Sequence, residues 1–255
     1  MNRQPSEPTS HAAAPATTAA TPPRAGLRRF STAEFLVALA LLFVSLPFLE
    51  NFVYGDVIES LLITLMFALA VVAVGRRRST FIWAAVLMLP AVVGKWVNHI
   101  WPGLVAPQVF PAAGMVFVGF VVAQFLHFIL RAPRVNSEVL CAGISTYLLL
   151  GLFWMFSYLL VAQLVPDSFA FSTGPPSSHS MTHFNAYYFS FVTLSTVGYG
   201  DVTPVSNEAR ALAVAEAMTG TLYVAVLIAR LVALYTTQSQ AVEASGRTEA
   251  NRPNL

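Results

Sequence analysis

Six stretches of the chain are apolar and roughly long enough to cross a bilayer: Phe30–Leu49, Val57–Val74, Thr80–Asn98, Ala112–Leu130, Val139–Leu164 and Ala209–Tyr235. A helix rising about 1.5 Å per residue needs about 20 residues to span a hydrocarbon core of about 30 Å. The last two stretches are longer than that, which permits tilt. Residues 1–29 are rich in Ala, Pro, Thr and Ser and show no hydrophobic period, the pattern of a disordered tail. No apolar run follows Met1 directly, so a cleaved secretory signal is not expected. One region departs from the spanning pattern. Residues 165–183 are polar and turn-prone, with Pro166, Gly174, Pro175 and Pro176, and Phe184–Ser195 is helix-compatible but too short to cross. A Gly-rich run, Thr196-Val197-Gly198-Tyr199-Gly200-Asp201, follows it. A short helix leading into Gly-rich backbone at membrane depth predicts a re-entrant element, because open backbone survives there only against protein or a water-filled cavity.

Composition narrows the class. Of 255 residues 56% are hydrophobic and 10% charged, against about 25% charged in soluble domains, so the chain lacks the polar residues to coat a water-facing surface. A net charge of +2 gives no footing for a nucleic-acid partner. The lone Cys141, within an apolar run, excludes a disulfide framework. No Ser/His pair, Asp pair or His-Glu-x-x-His pattern falls on facing segments, so the chain is not expected to be an enzyme. Orientation follows from Lys and Arg in the loops. Arg3, Arg24, Arg28, Arg29, Arg76, Arg77, Arg78, Arg131, Arg134, Arg247 and Arg252 share one side, while Lys95 and Arg210 share the other. Both termini are therefore expected in the cytoplasm, consistent with an even number of crossings.

Thr196-Val197-Gly198-Tyr199-Gly200, followed by Asp201 and Pro204 and flanked by a short helix and two spans, resembles the selectivity filter of potassium channels. The chain resembles the voltage-gated-like potassium-channel superfamily, in the group without a working voltage sensor. The specific likeness covers about residues 139–235; residues 30–134 agree only in helix number and placement. The resemblance implies an all-α membrane protein of six transmembrane helices with a re-entrant pore helix and selectivity filter in a tetrameric pore. Residues 1–29 would form a disordered cytoplasmic tail, 30–134 a four-helix membrane domain, 135–235 the pore domain and 236–255 a short cytoplasmic tail. The implied activity is passive, selective K+ conduction across the plasma membrane, here a bacterial inner membrane. K+ is the permeant ion and no cofactor is implied; the expected partners are further copies of the chain in a homotetramer, and the lipid bilayer. The alternatives are a non-conducting scaffold or sensor, and a potassium transporter subunit.

The chemistry behind the signature is explicit. A dehydrated K+ needs replacement oxygens, and backbone carbonyls supply them. Aiming successive carbonyls at one axis requires alternation with left-handed dihedrals, which Gly198 and Gly200 adopt without a Cβ clash. Carbonyls of Thr196, Val197, Gly198 and Tyr199, with the Thr196 hydroxyl, would form the K+ sites. Val197 and Tyr199 would point outward against the pore helix. The C-terminal end of that helix, near Ser195, would present its negative pole to a cation.

Several residues are candidates for supporting roles. The carboxylate that the family commonly carries four residues before the filter threonine is replaced by Val192, and paired pore-helix aromatics correspond to Tyr188 and Phe189. Tyr188 could donate to Asp201. Gly220 lies where the family has an inner-helix hinge glycine, and a packing role is the competing reading. Helical spacing from it makes Thr221, Val224, Ile228 and Val232 candidates for the pore lining. Glu216 within a span is a modulatory candidate, either bonded behind the pore helix or facing the cavity. Glu59 and Lys95 fall at similar depth and are expected to pair. His179 and His183 could bind zinc or sense protons if they share a helix. The fourth span has no Arg or Lys before Arg131, so voltage sensing by an arginine ladder is not expected.

Overall fold

The computed structural model describes residues 32–49, 54–75, 78–101, 103–134, 136–172 and 179–250. The expected tail 1–29, Arg76, Arg77, Gly174, Pro175, Pro176 and Arg252 lie outside the described residues. In chain order the elements are α1 (Thr32–Leu49), α2 (Gly55–Val74), α3 (Arg78–Ile100), α4 (Val109–Arg131), α5 (Ser137–Leu164), β1 (Phe169–Phe171), α6 (His183–Leu194), β2 (Val202–Pro204) and α7 (Asn207–Ala250). Helices α2, α3, α4, α5 and the 207–233 part of α7 are long and apolar enough to cross a membrane, and α1 contributes a shorter apolar stretch, Thr32–Ser45.

Short polar side chains start the helices of the second half. Asn136 Oδ1 accepts from Val139 N at 3.0 Å, Thr182 Oγ1 from Asn185 N at 3.1 Å, and Ser206 Oγ from Ala209 N at 3.1 Å. Each satisfies one amide that the first turn would otherwise leave open. Pro47 and Pro90 sit inside α1 and α3.

Helix α5 is the hub. It packs on α4, α1, α6 and α7, while α2 and α3 complete the far side through α1 and α4. Aromatic rings form much of the seam: Phe67 lies 4.6 Å from Phe117 and 6.2 Å from Phe156, and Phe110 meets Phe156 edge-on at 5.5 Å. Phe43 of α1 reaches Tyr187 and Phe191 of α6 at 5.4 and 5.0 Å, so α1 props the rear of the short helix. Unlike α5, α7 is largely uncovered within one chain: Val214, Met218, Leu222 and Val226 all stay exposed.

Two features depart from the sequence reading. First, the polar stretch after α5 contains a strand. Antiparallel β1 and β2 pair Phe169 with Pro204, Ala170 with Thr203 and Phe171 with Val202. A three-residue strand leaves too short an alternation to be read from pattern. Second, α7 continues beyond Tyr235 to Ala250, so much of the expected tail at 236–255 is continuous with the last apolar helix. That stretch is polar, and hydrophobicity therefore ends at Tyr235, but its Ala, Gln and Glu residues favour helix.

Candidate functional site

The site is assembled where α6 ends. Amides of the following residues turn back onto it: Ser195 N donates to Phe191 O at 3.1 Å, Thr196 N to Thr193 O at 2.9 Å, and Val197 N and Gly198 N both to Val192 O at 2.9 and 3.4 Å. Ser195 Oγ also donates backwards, to Phe191 O at 2.6 Å. With the donors of Thr196, Val197 and Gly198 occupied on the helix side, their carbonyls are left for other partners.

The backbone then alternates. φ is +59° at Thr196, +59° at Gly198 and +80° at Gly200, with Val197 and Tyr199 between them outside that region. A Cβ on Gly198 or Gly200 would meet nothing within 4 Å, so dihedral angle rather than space calls for glycine there. For Thr196 the left-handed conformation costs about 1–2 kcal/mol; its amide bond to Thr193 helps hold it there. Strained backbone of this kind persists where surrounding structure over-determines it. An ordinary strand sends successive carbonyls to opposite sides, whereas alternating sign in φ can bring them to one side. In one chain Val197 and Tyr199 are 53% and 71% exposed, so α6 leaves much of their surface uncovered. Tyr199 does stack on Tyr188, rings 6.4 Å apart and 7° from parallel.

Beyond the filter-like run, Asp201 is fixed by two partners. Tyr188 Oη donates to Asp201 Oδ2 at 2.7 Å, and Val202 N to Oδ1 at 3.0 Å. Ser172, at the end of β1, donates its amide to Asp201 O at 2.9 Å, and its hydroxyl lies 3.2 Å from the same oxygen. The ribbon is anchored from below: Phe169 meets Tyr158 and Phe189 edge-on at 5.8 and 5.6 Å. The ribbon therefore ties the exit of the run to α5 and α6.

Glu216 is fully buried behind α6 and does not face a cavity. Tyr158 Oη of α5 donates to its Oε2, and Ser190 Oγ of α6 lies 2.6 Å from its Oε1. Ser190 Oγ is also 2.7 Å from the Gly151 carbonyl. One carboxyl thus joins α5, α6 and α7. Tyr158 and Ser190 are separated from Glu216 by 58 and 26 residues, and the sequence offers no local signal for either.

Gly220 packs one turn further along α7. A Cβ there would overlap the carbonyl oxygen of Leu194, the last residue of α6. The glycine therefore permits close approach between α7 and the end of α6. Val224, Ile228 and Val232 are 41%, 56% and 56% exposed, and Thr221 is exposed with its hydroxyl donating to Ala217 O at 3.0 Å.

The two histidines do not converge. His179 precedes α6 and stacks on Phe171 at 5.8 Å, whereas His183 opens α6 and places Nδ1 3.6 Å from Glu59 Oε1. They do not share a helix; among the described residues no group of three or more His, Cys, Asp or Glu side chains that could hold a metal occurs. Glu59 pairs with Lys95 at 3.0 Å, and Lys95 lies 5.0 Å from the Phe110 ring centre. Burial foremost, and Lys95 next, hold the His183 imidazole below its usual pKa despite Glu59.

Residues 144–237 match the family model described as an ion channel, a span that runs from within α5 through the short helix and filter-like run into α7. This segment is similar to ion channels, and the chain has the apolar helices of a multi-pass membrane protein. No curated protein matches the chain.

Proposed function

We propose that four copies of this chain assemble around one axis and conduct K+ passively and selectively. The observation that carries this reading is the alternation of positive φ at Thr196, Gly198 and Gly200, set directly after a short helix that takes up the intervening amides. Carbonyls of Thr196, Val197, Gly198 and Tyr199, one per chain per ring, replace the hydration shell, and the Thr196 hydroxyl adds the innermost oxygens. The C-terminal pole of α6 points its partial negative charge toward the cavity below.

Exposure of Val197, Tyr199 and of Val214, Met218, Leu222 and Val226 on α7 supports the assembly, because neighbouring copies would cover them. In this arrangement α7 lines the inner pore through Thr221, Val224, Ile228 and Val232, and Gly220 sets how closely it approaches the filter base. All six apolar helices cross, both termini face the cytoplasm, and the membrane is a bacterial inner membrane. Arg131 at the last position is the only Arg or Lys of α4, so opening is not driven by an arginine ladder. Potassium uptake into liposomes holding the purified protein, with sodium in parallel and Gly198→Ala alongside, tests the reading. Potassium flux well above sodium flux, lost in the variant, is expected. Equal fluxes of the two ions, or a variant as selective as the parent chain, would refute it.

A further inference from the structure

A cavity of about 840 Å³ opens at the end of the bundle where α1 begins and α4 ends. Its polar rim carries Arg131 and Arg134, with His127 one turn back on α4. The buried Val74, Phe125 and Val139 give the cavity an apolar inner portion, with Thr32, Thr80, Gln124 and Asn136 also on the lining. Among the described residues, neither guanidinium lies within ion-pair distance of a carboxylate. Glu138 is the one acid among the described lining residues, so their charge is positive even with His127 neutral.

We propose that this cavity is a binding site for a phosphate-bearing anion, with Arg131 and Arg134 gripping the phosphate. Two guanidiniums on one short connection offer planar forks of donors that match phosphate oxygens, a geometry a lone lysine does not provide. The apolar inner portion suits acyl chain rather than water, so an anionic phospholipid of the adjoining leaflet uses the whole cavity, whereas free phosphate uses the rim alone. The chain's own first residues are a poor occupant: positions 1–31 carry Arg3, Arg24, Arg28 and Arg29 against the single acid Glu7, and would bring like charge to the rim.

The site also touches the inner helix. Arg230 Nη2 of α7 donates to Leu130 O at 3.1 Å and to Ala132 O at 3.2 Å, capping the carbonyl end of α4. Ala132 lines the cavity. An anion held by Arg131 and Arg134 therefore stiffens the segment that α7 grips. This consequence for the pore rests on the channel reading; the binding itself does not.

The test measures binding without ion flux. Full-length protein in detergent is titrated separately with phosphatidylglycerol, phosphatidylcholine and inorganic phosphate, and adducts are counted by native mass spectrometry. The parent chain is compared with R131Q/R134Q and R131K/R134K. Phosphatidylglycerol should bind about tenfold more tightly than phosphatidylcholine, fall about tenfold in the glutamine pair and recover in part in the lysine pair. Inorganic phosphate adducts with the same arginine dependence, and no preference for phosphatidylglycerol, would support the anion site and assign its source to solution. Phosphatidylglycerol adducts unchanged in R131Q/R134Q, without an arginine-dependent phosphate adduct, would overturn the proposal.

Discussion

Removing the carboxyl of Glu216 tests how the filter-like run is held from behind. Three close oxygen contacts meet there: Tyr158 with Oε2, Ser190 with Oε1 and Ser190 with the Gly151 carbonyl. A hydroxyl has one proton, so Tyr158 and Ser190 together bring two protons to three contacts. The third contact needs either a proton on the carboxyl group or a Ser190 proton shared between two acceptors. Glutamine retains both a donor and an acceptor at this position; alanine retains neither. Hydrogen bonds between helices in membranes average about 0.6 kcal/mol and reach about 1.7 kcal/mol, so losing both bonds to Glu216 in Glu216→Ala should cost about 1–3 kcal/mol. That membrane scale is the appropriate one, because the unfolded chain in a bilayer or micelle also finds partners. Ser190 keeps its Gly151 acceptor, which limits the loss, whereas the buried Tyr158 hydroxyl is orphaned. The assay is denaturation in mixed micelles followed by tryptophan fluorescence. Glu216→Gln should unfold close to the parent chain and Glu216→Ala clearly earlier. If Glu216→Gln loses as much as Glu216→Ala, the amide does not take the carboxyl's place; if Glu216→Ala loses nothing, the carboxyl braces nothing.

Three further outcomes follow from the same geometry. Gly220→Ala forces α7 away from the Leu194 carbonyl, an overpacking that should cost about 1–3 kcal/mol in the same denaturation assay; an unchanged midpoint would show that the contact relaxes freely. Tyr188→Phe removes the 2.7 Å bond to Asp201, worth about 1 kcal/mol, and should hasten the decay of potassium current during a sustained opening; identical decay would detach Asp201 from filter stability. His183 has a lowered pKa in the folded chain, so the unfolded chain takes up its proton first as pH falls. Its stabilising contribution is complete above about pH 6.5 and is lost on acidification through the folded value. Melting at pH 7.5 and 5.5 should therefore differ more in the parent chain than in His183→Gln, and equal differences would refute the assignment.

How much of this was legible in the sequence depended on the range of the interactions. The helices of the second half were visible because hydrophobic runs are a local signal, whereas their caps at Asn136 and Thr182 came only with the structure. The filter-like run was visible because glycines at alternate positions reflect a local dihedral demand, which Gly198 and Gly200 meet. Left-handed Thr196 was not foreseen, since only its environment holds it there. The Glu59–Lys95 pair was expected from matching depth on two spans, and it forms. The partners of Glu216 were not legible, because Tyr158 and Ser190 are ordinary residues of apolar helices until the fold brings them together. Gly220 illustrates the same limit: a glycine in a helix reads alike as a hinge and as a point of close approach, and the close approach to Leu194 becomes visible only in the fold. Helical structure past Tyr235 was hidden because hydropathy reports membrane depth, not helix propensity.

The most direct test of the central claim is the reversal potential of the purified protein in a planar bilayer with K+ on one side and Na+ on the other. Selective conduction through rings of carbonyls at Thr196, Val197, Gly198 and Tyr199 predicts a reversal potential displaced far toward the potassium equilibrium. A reversal near zero, or toward sodium, would contradict it.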